Sequence, residues 1–138
     1  MYIGFDIGGT KTEIIVLDEE GKTHFKKRIL TVHEYTEFIN NIYALILEAE
    51  QAVGMTCSVG IGLPGVLDPK TSQVKNSNCT FLNGKNLQAD LSTRLNKKVF
   101  IANDANCFAL SEAVDGVMRL ENLLYLALFL ALVVAVEL

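Results

Sequence analysis

Short apolar runs rich in Ile and Val, Tyr2 to Asp6 and Glu13 to Leu17, flank the turn Gly8-Gly9-Thr10-Lys11 and predict a β-hairpin. A second turn, Asp18 to Gly21, leads to His24–Leu30, which alternates like a third antiparallel strand. From about His33 to Val53 the apolar residues Phe38, Ile42, Leu45, Ile46, Ala49 and Val53 fall at helical spacing, and Gly54 supplies a stop. Ser58 to Leu63 reads as a short buried strand ending at Pro64-Gly65. Asp68 to Asn86 is polar and turn-rich, a loop with a short hairpin at most. Leu87 to Leu95 is an amphipathic helix and Val99 to Ala102 a strand, after which Asn103-Asp104-Ala105-Asn106 opens a helix running to about Val114. Three antiparallel strands followed by alternating helices and strands predict an α/β layer with a mixed sheet.

Composition narrows the function classes. A chain of 138 residues has room for one domain, and 50% hydrophobic with 20% charged residues is globular composition. The formal net charge of −4, with no basic face, argues against a nucleic-acid partner, whose phosphates demand a basic footprint. Lys26-Lys27-Arg28 and Lys97-Lys98 read as solvated strand ends, and His24 and His33 as surface histidines. Cys57, Cys79 and Cys107 are too dispersed for a thiolate metal site and fit reduced cytoplasmic thiols acting as apolar fillers. Asp6 and Gly8-Gly9 interrupt the first apolar stretch, which is therefore a strand and not a signal peptide. The run Leu123 to Val136 is shorter than the roughly 20 residues of a membrane helix, so no membrane is expected as partner.

Three motifs could carry chemistry. In Asp6-Ile7-Gly8-Gly9-Thr10-Lys11 a carboxylate ends a buried strand, and two glycines permit tight or left-handed geometry. Exposed N–H groups in such a turn can form an anion nest to which Thr10 and Lys11 add donors, and Asp6 can hold magnesium through water. An incidental Gly-Gly hairpin turn is the plain alternative, at even odds on the motif alone. Gly60-Ile61-Gly62-Leu63-Pro64-Gly65 ends the next strand and, taken alone, is better read as a structural turn. Ala102-Asn103-Asp104-Ala105-Asn106 stands at a strand-to-helix junction, where one polar residue would serve as a cap and three exceed that need. A carboxylate at a strand's carboxyl end faces the crevice where α/β proteins bind ligands, and it could take a proton from a substrate hydroxyl while Asn103 holds a neighbouring one.

These motifs, in this order over roughly Met1 to Gly116, closely resemble the ROK family of sugar kinases and sugar-responsive repressors. Val74 to Gly84 and Ala109 to Gly116 look most like bacterial fructokinase/mannokinase, with N-acetylglucosamine kinase the nearest alternative. The resemblance implies a ribonuclease H-like, actin-like domain that closes against a second such domain around a sugar and Mg-ATP. It implies Asp104 as the general base, Asn103, Asn78 and Gly65 at the sugar, Asp6 orienting magnesium, and Gly8, Gly9, Thr10 and Lys11 at the phosphates. Family repressors carry a helix-turn-helix segment ahead of the glycine turn, for which a turn beginning by residue 6 leaves no room.

After Gly116 the pattern departs from the family. Where a second glycine-rich phosphate loop is expected, Leu128 to Leu138 is bulky, apolar and β-branched, a surface that invites self-association. The expected division is therefore an N-terminal actin-like domain over residues 1–118 and an atypical apolar tail over 119–138. The chain reads as the N-terminal half of a kinase, with the zinc cluster of the family expected only in the other half. Beside the kinase stand two further readings, a non-catalytic sugar-binding module and another actin-like ATPase. The Asn-Asp-Ala-Asn junction opposes the last, which needs a water-activating site and not a sugar base.

Overall fold

The structure, a computed structural model, describes residues 1–18, 20 and 22–103. Asp104, Cys107, the helix expected after Asn103 and the 119–138 stretch lie outside the described residues. The three expected antiparallel strands are β1 (Tyr2–Ile7), β2 (Lys11–Leu17) and β3 (Thr23–Leu30). They are followed by α1 (Tyr35–Val53), β4 (Ser58–Leu63), the two-residue strands β5 (Val66–Leu67) and β6 (Val74–Lys75), a 3-10 turn (Thr80–Leu82), α2 (Leu87–Leu95) and β7 (Val99–Asn103). The main sheet runs β3-β2-β1-β4-β7, with β4 parallel to both β1 and β7.

One face of this sheet is apolar because the inward positions of each strand are. Ile3, Phe5, Ile7, Ile14, Val16, Val59, Ile61, Leu63 and Val99 pack with Phe38, Ile42, Leu45 and Ile46 of α1 and Leu87 and Leu91 of α2 in one buried cluster. A period-2 stripe meeting a 3.6-period stripe is the burial solution that the sequence pattern demands. The other face carries a smaller cluster of Ile15 and Leu17 with Tyr2.

Local chemistry fixes the element ends. The Glu34 carboxylate accepts from the backbone N–H groups of Glu37 and Thr36 (2.7 and 3.1 Å), bonds that hold its pKa below the usual carboxylate value. That cap starts α1 at Tyr35 and leaves His33, expected inside the helix, in the connection before it. Gly54 closes the helix in the left-handed conformation (φ 74°). Asn86 caps α2 through Ala89 N (3.0 Å).

Several expectations need correction. Lys26, Lys27 and Arg28 lie within the outer strand β3 and not at a strand end, with Lys27 on Glu48 (3.0 Å) and Arg28 on Glu13 (2.7 Å). Lys97 is only partly exposed and is engaged: its ammonium donates to Glu50 (2.6 Å) and to the Cys57 carbonyl (2.7 Å), and Glu50 also accepts from Cys57 N (2.8 Å). Strand β7 runs one residue past its expected end at Ala102, with Asn103 paired to Leu63 and its amide held across the strand ends. The short hairpin allowed for within 68–86 begins before that stretch: β5 pairs with β6 around a turn shaped by Asp68, whose carboxylate accepts from Lys70 N (2.8 Å) and Thr71 N (3.3 Å). Cys57 and Cys79 are buried, and burial pushes the Cys57 thiol up from its ordinary value.

Candidate active site

Strands β1, β4 and β7 are parallel, so their carboxyl ends open on one edge of the sheet. Register sets Asp6 beside Gly62 and Gly62 beside Ala102, a single row across three strands. Asp6 is paired on its other side with Glu13, and Glu13 with Arg28. Gly62 brings no side chain next to the Asp6 carboxylate, so the row has a gap where a ligand can approach.

Burial raises the Asp6 pKa from 3.8 to about 6, and the negative charge of Glu13 adds to the rise. The unfolded chain therefore gives up this proton first as pH rises from 3.8 towards 6, and stability falls across that window. Above it the full cost of a half-buried anion is present. Asp6→Asn should then raise the stability at pH 7.5 by about 1–2 kcal/mol once partial exposure is discounted, seen as a higher melting temperature, and the gain should shrink towards zero near pH 4. Thermal denaturation of both proteins at several pH values is the check. A gain that does not vary with pH would assign the effect to packing instead.

The turn after β1 is compact. Gly8 N donates to Lys11 O (2.9 Å), while Gly9, Thr10 and Lys11 are exposed. Of the tight or left-handed geometry that two glycines permit, the turn takes the tight form, with neither glycine in the left-handed region. What the glycines provide is room. A Cβ on Gly8 would lie 3.1 Å from Lys11 O, and one on Gly9 would meet nothing within 4 Å.

The turn is braced from behind by residues that motif reading missed. Thr31 donates its hydroxyl to Gly8 O (2.7 Å) and its amide to Thr10 O (2.9 Å), and its hydroxyl also lies 2.8 Å from that of Thr12. His33 Nε2 lies 2.6 Å from Gly9 O. The register that pairs Lys11 with Leu30 would have placed Thr31 opposite Thr10, a signal present in the hairpin pattern. Nothing in the sequence pointed to His33, which is exposed as expected yet engaged.

Gly65, Asn103 and the segment bearing Asn78 come together. Asn103 Nδ2 donates to the Gly65 carbonyl. Gly65 has φ 109°, and a Cβ there would lie 3.0 Å from Lys75 O and from Cα and Cβ of Ser77, the residue before Asn78. The Asn78 loop is shaped by side chain to backbone bonds: Ser77 N to Asn83 Oδ1 (3.0 Å), Asn83 Nδ2 to Ser77 O (3.3 Å) and Cys79 N to Ser77 Oγ (3.0 Å). Asn78 itself is exposed. The structure thus sets Asp6 and the glycine turn at one strand end and the Gly65–Asn103 pair at the ends of the next two, while Asp104 lies outside the described residues.

A mixed sheet in this order, flanked by helices and with glycine turns at its carboxyl edge, defines a ribonuclease H-like domain of the actin-like ATPase superfamily. The chain belongs to the ROK family, whose profile matches residues 2–128. It is 46% identical over 116 residues to an N-acetyl-D-glucosamine kinase of Salmonella gallinarum, a match covering 83% of this chain and 38% of that protein. A ROK family glucokinase from Streptomyces griseus, solved in complex with glucose and AMPPNP, superposes with a TM-score of 0.72 at 29% identity, over 86% of this chain and 38% of that one. The ROK hexokinase of Thermus thermophilus gives 0.67 at 25% identity, over 80% and 37%. The chain spans about 38% of the length of the curated relatives it matches. Among the described residues no helix is long and apolar enough to cross a membrane.

Proposed function

We propose that this chain is the phosphate- and sugar-facing lobe of an ATP-dependent hexose kinase acting in the cytoplasm. The observation that carries it is the register of β1, β4 and β7, which brings Asp6 and Asn103, the residue before Asp104, to one edge of the sheet. Asp104 takes the proton of the attacking sugar hydroxyl, and the freed oxygen forms a bond to the γ-phosphorus as ADP leaves. Asn103 and Asn78 hold neighbouring hydroxyls, and Gly65 keeps the wall of the sugar pocket thin. The Gly8–Lys11 turn binds phosphate oxygens, with open space at Gly9 and exposed Thr10 and Lys11 donors.

The donors present suit magnesium. Asp6 puts a hard carboxylate oxygen at the strand end, which would hold the ion through water. When bound, the ion would neutralise charge on the phosphates during transfer. Asp6 would serve in its carboxylate form, the one that prevails above about pH 6.

The sugar we favour is N-acetylglucosamine, on the strength of 46% identity to kinases of that name. The second reading is fructose, favoured by the character of Val74 to Gly84, the segment that bears Asn78. Phosphoryl transfer from Mg-ATP to N-acetylglucosamine, glucose, mannose and fructose, measured on the intact protein, decides between them. The highest kcat/KM is expected for N-acetylglucosamine. A preference for fructose selects the second reading, sugar binding without turnover selects a binding module, and ATP turnover that ignores sugar rejects the kinase.

A further inference from the structure

We infer that His33 is a positioning residue that aims the phosphate turn and ties it to the sugar-side loop; the inference rests on the kinase reading above. Three successive carbonyls of the turn are held from one side, Gly8 O by the Thr31 hydroxyl, Gly9 O by His33 and Thr10 O by the Thr31 amide, at 2.7, 2.6 and 2.9 Å. In a trans peptide the C=O and the following N–H point in opposite directions. Holding those carbonyls therefore turns the N–H groups of Gly9, Thr10 and Lys11 away from the Thr31–His33 side. A row of backbone N–H groups facing one way is what an anion nest requires. Thr31 provides two of the three holds from an element end already fixed by the sheet, and His33 provides the third, the one that orients Thr10 N–H.

A carbonyl oxygen only accepts, so His33 Nε2 carries the proton in this bond. The ring that donates it also lies against Phe81, with centroids 5.4 Å apart and planes tilted by 56°. Phe81 sits in the 3-10 turn three residues beyond Asn78 and packs edge-on against Phe38 of α1 at 5.2 Å. His33 is thus a strut with one end on the phosphate turn and the other on the segment that follows the proposed sugar contact. Ordering of the Asn78 loop by a sugar fixes Phe81, Phe81 fixes the imidazole, and the imidazole fixes the Gly9–Thr10 peptide. Sugar should accordingly tighten nucleotide binding through this contact.

The test is calorimetric binding of magnesium with a non-hydrolysable ATP analogue, with and without N-acetylglucosamine, to the intact protein. His33→Ala should weaken analogue binding about five- to tenfold, the worth of one oriented hydrogen bond, with sugar affinity changed less than about twofold. His33→Gln, whose amide nitrogen replaces Nε2, should recover most of that loss. Phe81→Leu should leave analogue affinity alone nearly unchanged but remove the tightening caused by sugar. His33→Ala binding the analogue within about twofold of the parent, with the sugar effect intact, overturns the inference. If the parent binds no analogue, the kinase reading fails by itself, and hydrogen exchange still decides the strut. The amides of Gly8 and Thr31 are bonded into the turn. Their exchange should quicken in His33→Ala and be restored in His33→Gln; unchanged exchange in His33→Ala overturns the strut.

Discussion

Asp104→Asn in the intact protein is expected to lower kcat by about 10²–10⁴-fold, the range a positioned general base contributes. Asparagine keeps the size and polarity of aspartate but cannot accept the hydroxyl proton, so the loss belongs to kcat and sugar affinity should change less than about threefold. The expectation draws on the neighbour as much as on the residue. Asn103 ends β7 in register with Leu63 and is bonded to the Gly65 carbonyl, so the chain enters position 104 from a fixed point. Steady-state kinetics beside calorimetric sugar binding separate the two effects. Turnover within about threefold of the parent would remove Asp104 from the mechanism, whatever happened to binding.

Gly65→Ala is expected to be the most damaging of the glycine substitutions described. At φ 109° an L side chain is strained in any surroundings, at a cost of about 1–3 kcal/mol. The new methyl would also stand 3.0 Å from Lys75 O, Ser77 Cα and Ser77 Cβ, two backbone atoms and a Cβ that moves only with its backbone. Movement of the 64–66 turn carries the Gly65 carbonyl away from Asn103 and presses on the residue beside Asn78. A lower melting temperature should therefore come with sugar affinity falling more than nucleotide affinity. Gly9→Ala is the matched control, since its methyl meets nothing within 4 Å and its φ is not positive. Equal stability of the two variants would mean that the 64–66 turn relaxes without cost.

The framework was legible because it is periodic. Alternation in Tyr2–Leu17, the helical stripe from Phe38 to Val53 and the stop at Gly54 carry their own signal, and the strands and α1 stand where that signal puts them. The boundaries that moved did so through side chains competing for backbone groups. Glu34 capped a helix and excluded His33, and Asn103 extended a strand by reaching Gly65. Glycines reveal freedom but not its use: Gly8-Gly9 permitted tight or left-handed geometry and serve in a tight turn that leaves space, whereas Gly65, read as a turn, has the demanding φ. The braces behind the phosphate turn were least legible. A threonine and a histidine bonding to carbonyls more than twenty residues away, Thr31 to Gly8 and His33 to Gly9, have no local pattern. Lys97 failed for the same reason, its partners Glu50 and Cys57 being set by the fold and not by spacing.

That last tie divides the molecule into two kinds of territory. One carboxylate, Glu50, gathers the end of α1, the entrance to β4 and the approach to β7 at the sheet end remote from the glycine turns. Damage at that knot leaves the chemistry nothing to lose directly and the folded chain much to lose. Variants there should be recognised by how little protein accumulates in a cell, with the surviving molecules working at full rate, the reverse of what a screen for activity per molecule is built to find.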